Sequence, residues 1–159
     1  MAFDKPILIA GGGIGGLAAA MALAQKDIPS LVLEKAQRLG EIGAGIQLGP
    51  NAFHCFDRLG VGETARKMAV YIDSLRLMDS MADGEICHID LGEAFRKRFG
   101  NPYAVVHSGD LHGVLLKACQ DHPLVELRVS SEVTGYDQDG KGVAARLANG
   151  ETVRGAALV

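Results

Sequence analysis

An α/β fold, a parallel sheet with an antiparallel meander, is what this sequence predicts, and three observations predict it. A short, wholly apolar run, Ile7-Leu8-Ile9-Ala10, reads as a buried parallel strand. Glycines follow at Gly11, Gly13 and Gly16, and Leu17, Ala20, Met21 and Ala24 then recur at helical spacing. After a break at Pro29-Ser30, a second apolar run, Leu31-Val32-Leu33, ends on Glu34. These pieces make one Rossmann-like βαβ unit.

The parts of that unit have separable physical reasons. Gly11 lets the chain turn sharply out of the strand. Gly13 has no side chain, so the backbone can approach a pyrophosphate, and Gly16 lets the helix pack close to the strand. The helix beginning near Ile14 aims its free N–H groups and the positive end of its dipole at phosphate. Glu34 stands at roughly the 20-residue separation where an acid hydrogen-bonds a ribose 2′-OH. A carboxylate there repels a 2′-phosphate and so disfavours NADP, an inference that the neighbouring Lys35 weakens. A GxGxxG alone is a weak signal; following a strand, opening a helix and answered by an acid, it points to a dinucleotide site.

The remaining properties bound the function. With 159 residues, 48% hydrophobic and 22% charged, the chain is a single domain's worth of ordinary globular sequence. Its net charge of −3, with no basic block, gives no reason to expect nucleic acid or an anionic membrane as a partner. Cys55, Cys87 and Cys119 are far apart and form no CxxC pair, so they read as reduced thiols of a cytoplasmic protein and not as metal ligands. No basic-then-apolar leader precedes the first strand, and the apolar helix after the glycines is short of the ~20 residues that span a bilayer.

Beyond Glu34 comes a glycine-spaced loop with Gly40, Gly43, Gly45 and Gly49. Arg38 lies in it, either reaching a nucleotide's phosphate or ribose or simply solvated. Ile46-Gln47-Leu48 reads as a short strand whose polar member, Gln47, faces a cavity. Pro50-Asn51 opens a helix with Phe53, Phe56 and Leu59 as its core stripe, stopped by Gly60. A further helix is expected over Gly62 to Val70. From Ser74 to Asp90 the period changes to that of a β-hairpin turning at Asp83-Gly84. Arg96, Lys97 and Arg98 form a small solvated basic cluster. Tyr103 to His107 is a strand, Asp110 starts a helix, and Leu124 to Val129 is a candidate third parallel strand. His107 and His112 have no partner at metal-ligand spacing and read as structural or surface residues. Val133–Tyr136, Gly142–Leu147 and Glu151–Arg154 form the meander, with Asp139-Gly140 and Asn149-Gly150 as turns. Ala156 to Val159 begins another strand. Parallel and antiparallel segments alternate along the chain, which implies two interleaved subdomains.

The succession GGGIGGLAAAMALAQ, LVLEK, GEIGAGIQLGPNAFHCFDRLGV, VVHSGDLHGVLLKAC and NGETVRGAALV resembles the N-terminal part of the flavin-dependent aromatic hydroxylases, in the salicylate hydroxylase and 3-hydroxybenzoate 6-hydroxylase branch. The resemblance implies FAD as the nucleotide. Gly11, Gly13, Ile14 and Gly15 would lie on its pyrophosphate, Glu34 and Lys35 at the adenosine ribose, Gln47 near the flavin ring and Val133 at the adenine edge. It further implies a reaction in which NADH or NADPH and O2 serve to hydroxylate a small phenolic acid. Residues 1–73 and 103–159 would be the FAD-binding domain, incomplete at its C-terminal end, and 74–102 an inserted part of a substrate-domain sheet. The residues that bind and deprotonate the phenol would lie downstream, so no catalytic residue is assigned.

Two departures from the family stand out. Arginine is usual where this chain has Ser108, and that arginine contacts the flavin nucleotide. Serine keeps a hydrogen-bonding group and loses the charged donor, a weakening on the order of 1.5–3 kcal/mol. Asp27 stands where glycine is common after the first helix. Two other readings stay open: an NAD- or FAD-linked dehydrogenase sharing the fingerprint, and a truncated fragment that catalyses nothing.

Overall fold

The computed structural model describes residues 5–40 and 43–159. In chain order the strands are β1 (Ile7–Ala10), β2 (Ser30–Leu33), β3 (Gly45–Leu48), β4 (Val70–Tyr71), β5 (Ser74–Asp79), β6 (Gly84–Asp90), β7 (Ala104–His107), β8 (Val125–Arg128), β9 (Val133–Asp139), β10 (Gly142–Leu147), β11 (Thr152–Gly155) and β12 (Ala157–Leu158). The helices are α1 (Ile14–Ala24), α2 (Pro50–Arg58), α3 (Gly62–Met68), α4 (Glu93–Phe99) and α5 (Ser108–Gln120). Two compact units result, one from Met1–Ile42 with Leu111–Val159 and the other from Gly43–Asp110. The chain crosses between them within α5.

The first unit is built on a parallel sheet of strand order β12-β1-β2-β8. Ile7 pairs with both Ser30 and Ala157, and Ser30 with Val125. Its central strands are apolar without alternation because both faces are covered. Leu8, Leu31 and Leu33 pack against Val143, Ala145 and Leu147 of the antiparallel meander β9-β10-β11. On the opposite face Ile9 approaches α1 at Gly16, where an added Cβ would lie 2.0 Å from the Gly11 carbonyl oxygen and 3.3 Å from Ile9. No other residue type fits that crossing. The expected third parallel strand is β8, on the free side of β2.

In the second unit β7 is the centre of an antiparallel sheet of order β3-β7-β4. Helix α2 has Pro50 in its first turn and buries Phe53 and Phe56, whose rings meet edge to face at 6.3 Å. The Phe stripe is core, as its spacing suggests. Arg66 of α3 holds Asp57 with two nitrogens, at 2.5 and 2.8 Å, and lies over the Phe53 ring. The hairpin β5–β6 pairs Leu75 with Ile89 and turns through Asp83 at φ 50°.

Several features differ from the sequence reading; in the meander, β9 runs on through Asp139, so the turn falls at Gly140-Lys141, and β11 is Thr152–Gly155. The helix expected to reach Val70 stops at Met68, because Ala69 is extended and Val70–Tyr71 pairs with β7 instead. The basic cluster at Arg96–Arg98 belongs to α4: Glu93 sits in its first turn, the three cations in its last, and Gly100 ends it at φ 72°. Helix α5 begins at Ser108, two residues before Asp110. No helix among the described residues is long and apolar enough to cross a membrane.

Candidate dinucleotide site

The glycines after β1 divide into two kinds. A Cβ at Gly11, Gly13 or Gly15 would meet nothing within 4 Å, so these three border open space. Gly12 and Gly16 face the protein instead: a Cβ at Gly12 would lie 2.4 Å from the Leu39 side chain. Gly11 has φ 116°, a backbone state that side-chain-bearing residues rarely adopt. Gly13 caps α1 with no side-chain hydrogen bond, and no acid stands in the helix's first turn. The amino end of α1 therefore opens onto the clear side of the turn with its N–H groups unclaimed by a capping side chain, the arrangement that receives an anion.

Glu34 is fixed at this turn. Its Oε2 accepts from the Gly12 N–H at 2.7 Å and its Oε1 from the Ala36 N–H at 2.8 Å. Partial burial pushes the carboxyl upward, but the two N–H donors, with Lys35 nearby, outweigh it and hold the group below the ordinary carboxylate range. It is an anion with lone pairs to spare for a further donor. Glu34 lines a depression of about 330 Å³ together with Ala10, Gly11, Leu33, Lys35, Glu132 and Val133. The fold thus brings Gly11, Glu34, Lys35 and Val133, widely separated in sequence, around one hollow. A smaller cavity of about 90 Å³ is lined by Gly12, Gly13, Glu34, Leu39, Gly40 and His112.

The other candidates are placed as follows. Ile14 is half-buried at the start of α1, and Arg38 is exposed. Gln47 is exposed on β3, where its Oε1 accepts from the Tyr103 hydroxyl at 2.7 Å. Ser108 is buried, and its hydroxyl oxygen accepts from the Ala44 N–H at 3.0 Å while its own N–H donates to the Ala44 carbonyl at 2.9 Å. The part of the glycine-spaced loop at positions 41–42 lies outside the described residues.

Sequence reasoning did not single out Gly12 or His112 for the site. His112 is 3% exposed, and its Nε2 is 2.8 Å from the Gly12 carbonyl oxygen across a separation of 100 residues. Nothing local in Asp-Leu-His announces that contact. Cys119, two turns further along the same face of α5, places its Sγ 3.4 Å from the Leu17 carbonyl, and burial pushes its thiol up to about 11.

A parallel-sheet βαβ unit, a glycine turn open on one side, an uncapped helix end and an acid at the tip of the second strand define a dinucleotide-binding domain. Its kind follows from comparison with known proteins: the chain matches the family described as FAD binding domain over residues 4–157, and it belongs to that family. It is 54% identical over 153 residues to 3-hydroxybenzoate 6-hydroxylase 1 of Aquipseudomonas alcaligenes, a match covering 96% of this chain and 39% of that protein. It is 50% identical over 156 residues to 3-hydroxybenzoate 6-hydroxylase of Polaromonas naphthalenivorans (strain CJ2), covering 98% and 39%. Among solved structures, HpxO of Klebsiella pneumoniae complexed with FAD and uric acid is 26% identical with a TM-score of 0.81, covering 97% of this chain and 38% of that one. The chain therefore spans about two-fifths of the length of the curated relatives it matches.

Proposed function

We propose that this chain is the FAD-holding part of an aromatic-ring monooxygenase, one that hydroxylates a small phenolic acid of the 3-hydroxybenzoate or salicylate type with NADH or NADPH and O2. The observation that carries the reading is the pairing of an open glycine turn with the Glu34 carboxylate tied to that same turn at 2.7 Å. The high identity to two 3-hydroxybenzoate 6-hydroxylases supports the substrate class.

In this reading the residues divide the work along the dinucleotide. The backbone at Gly11, Gly13, Ile14 and Gly15 receives the pyrophosphate. Glu34 accepts from the adenosine ribose, and Lys35 sits beside it as a counter-charge. Val133 borders the adenine through its backbone. Arg38, on the exposed loop after β2, reaches toward the nucleotide from solvent, and Gln47 and Ser108 serve the flavin end. Residues 74–102 contribute to a substrate-domain sheet, and 1–73 with 103–159 to the FAD-binding domain. The bound flavin supplies the redox chemistry, accepting hydride and activating O2; the protein binds, orients and shields it. The three thiols are free, which supports a cytoplasmic setting.

The test is a titration of FAD into the chain, followed by flavin fluorescence and visible absorbance. The expected result is weak, saturable binding that ADP competes and FMN does not, since the ADP half carries the groups this turn recognises. Absence of saturable binding, or equal competition by FMN, removes the reading. The substrate class is checked separately in the full-length protein, by whether 3-hydroxybenzoate or salicylate stimulates NADH consumption and O2 uptake.

A further inference from the structure

Gly12 is held from both sides. Its N–H is taken by Glu34 Oε2 at 2.7 Å and its carbonyl by His112 Nε2 at 2.8 Å. Because a carbonyl can only accept, His112 Nε2 carries a hydrogen and donates in this bond. His112 is buried on the face of α5 that also buries Leu115 and Cys119, so the ring is confined by packing.

The Gly12 carbonyl and the Gly13 N–H belong to one peptide unit. No peptide bond among the described residues is cis, so the two groups point in opposite directions. With the carbonyl drawn inward to His112, the Gly13 N–H faces outward. Gly13 is exposed, and the space beside it is clear for 4 Å. Were the carbonyl released, the peptide could rotate and present an oxygen where a phosphate binds, replacing a donor with a repelling dipole.

We propose that His112 is a positioning residue for the dinucleotide's phosphates: from behind the turn it locks the Gly12–Gly13 peptide so that the Gly13 N–H is aimed at the pyrophosphate before the ligand arrives. This rests on the reading of FAD at the glycine turn given above. Holding the peptide in advance removes an ordering cost that would otherwise be met on binding. Glu34 contributes the complementary grip on the other peptide of Gly12, so ribose and phosphate recognition share one anchored residue.

The test compares His112→Leu, which removes the donor, with His112→Gln, whose amide can still reach the carbonyl, both in the full chain. Dissociation constants are measured for FAD, ADP and adenosine. The Leu variant is expected to weaken FAD and ADP by about tenfold or more, and the Gln variant by no more than about threefold. Adenosine, which has no phosphate, is expected to bind both variants as it binds the wild type. Far-ultraviolet circular dichroism and thermal midpoints establish that the variants are folded, and the Gln variant carries the test if the Leu variant is not. Wild-type affinity for FAD in the Leu variant overturns the proposal. So does equal weakening in both variants, which would assign the effect to packing, or an equal loss for adenosine. Failure of the wild type to bind FAD at all removes the dinucleotide reading itself, a result distinct from these.

Discussion

Strands β1 and β2 and the hairpin β5–β6 are all rich in apolar residues, yet they meet opposite fates. Leu8 and Val32 are 0% and 1% exposed, whereas Leu77 and Ile86 are 57% and 61% exposed. The first pair of strands is covered by α1 on one face and the meander on the other. The hairpin is held by cross-strand pairs such as Leu75 with Ile89 and Leu77 with Cys87. Each such pair contributes roughly 0.2–1 kcal/mol, against about 1.5–3 kcal/mol for fully burying one large apolar side chain. Strand pairing and strand burial are thus separate achievements, and apolar content alone predicts neither.

The sharpest way to break this comparison is at the helix–strand crossing of the buried side. Gly16→Ala places a Cβ against the Gly11 backbone, which cannot move aside as a flexible side chain would. A loss of roughly 3 kcal/mol or more is expected in chemical denaturation, at the upper end of overpacking effects. Next comes a matched pair of truncations. Leu8→Ala should cost about 2–5 kcal/mol, while Leu77→Ala should stay within about 0.5 kcal/mol; equal costs would show that the hairpin has a core after all. Amide hydrogen exchange sharpens the same point without mutation, with β5 and β6 expected to exchange well before β1 and β2.

Acid provides a smaller probe of the buried side. Glu34 titrates below its ordinary value in the folded chain, so its contribution is complete above the ordinary carboxylate range and lost as pH falls through the depressed folded value. Denaturation midpoints measured down the acid limb should therefore fall less steeply in Glu34→Gln than in the wild type. The smallest expected effect is a gain. Asp27 follows α1 at φ 56°, a left-handed position that favours glycine. Asp27→Gly should raise stability by about 0.5–1 kcal/mol in a thermal melt.

The βαβ unit was legible because its signals are local: an apolar run, glycines at fixed spacing, a helical period and an acid after the next run. The hairpin and meander were legible through Asp-Gly and Asn-Gly turns. Helix α4 also has local signals, with Glu93, the i, i+4 pair Phe95 and Phe99, the cations at 96–98 and the stop at Gly100, but at seven residues it is too short for a helical period to stand out beside its charges. Strand β4 was misread because two residues pairing with a distant edge leave no period of their own. At the site, Glu34 was legible as an acid at the right separation. Its bond to the Gly12 N–H and the inward bond from His112 were not, since both depend on how distant segments are brought together.

The first unit joins the opening of the chain to its far end, with Leu8 beside Leu158 in the sheet. Strand β2 can meet β1 soon after both exist, but β8 and β12 must wait for the whole intervening length to be synthesised and gathered in. Contacts of such long sequence separation slow folding, because loop closure comes before its reward. The apolar edges of β1 and β2 therefore stay open until β8 and β12 have been made and gathered in.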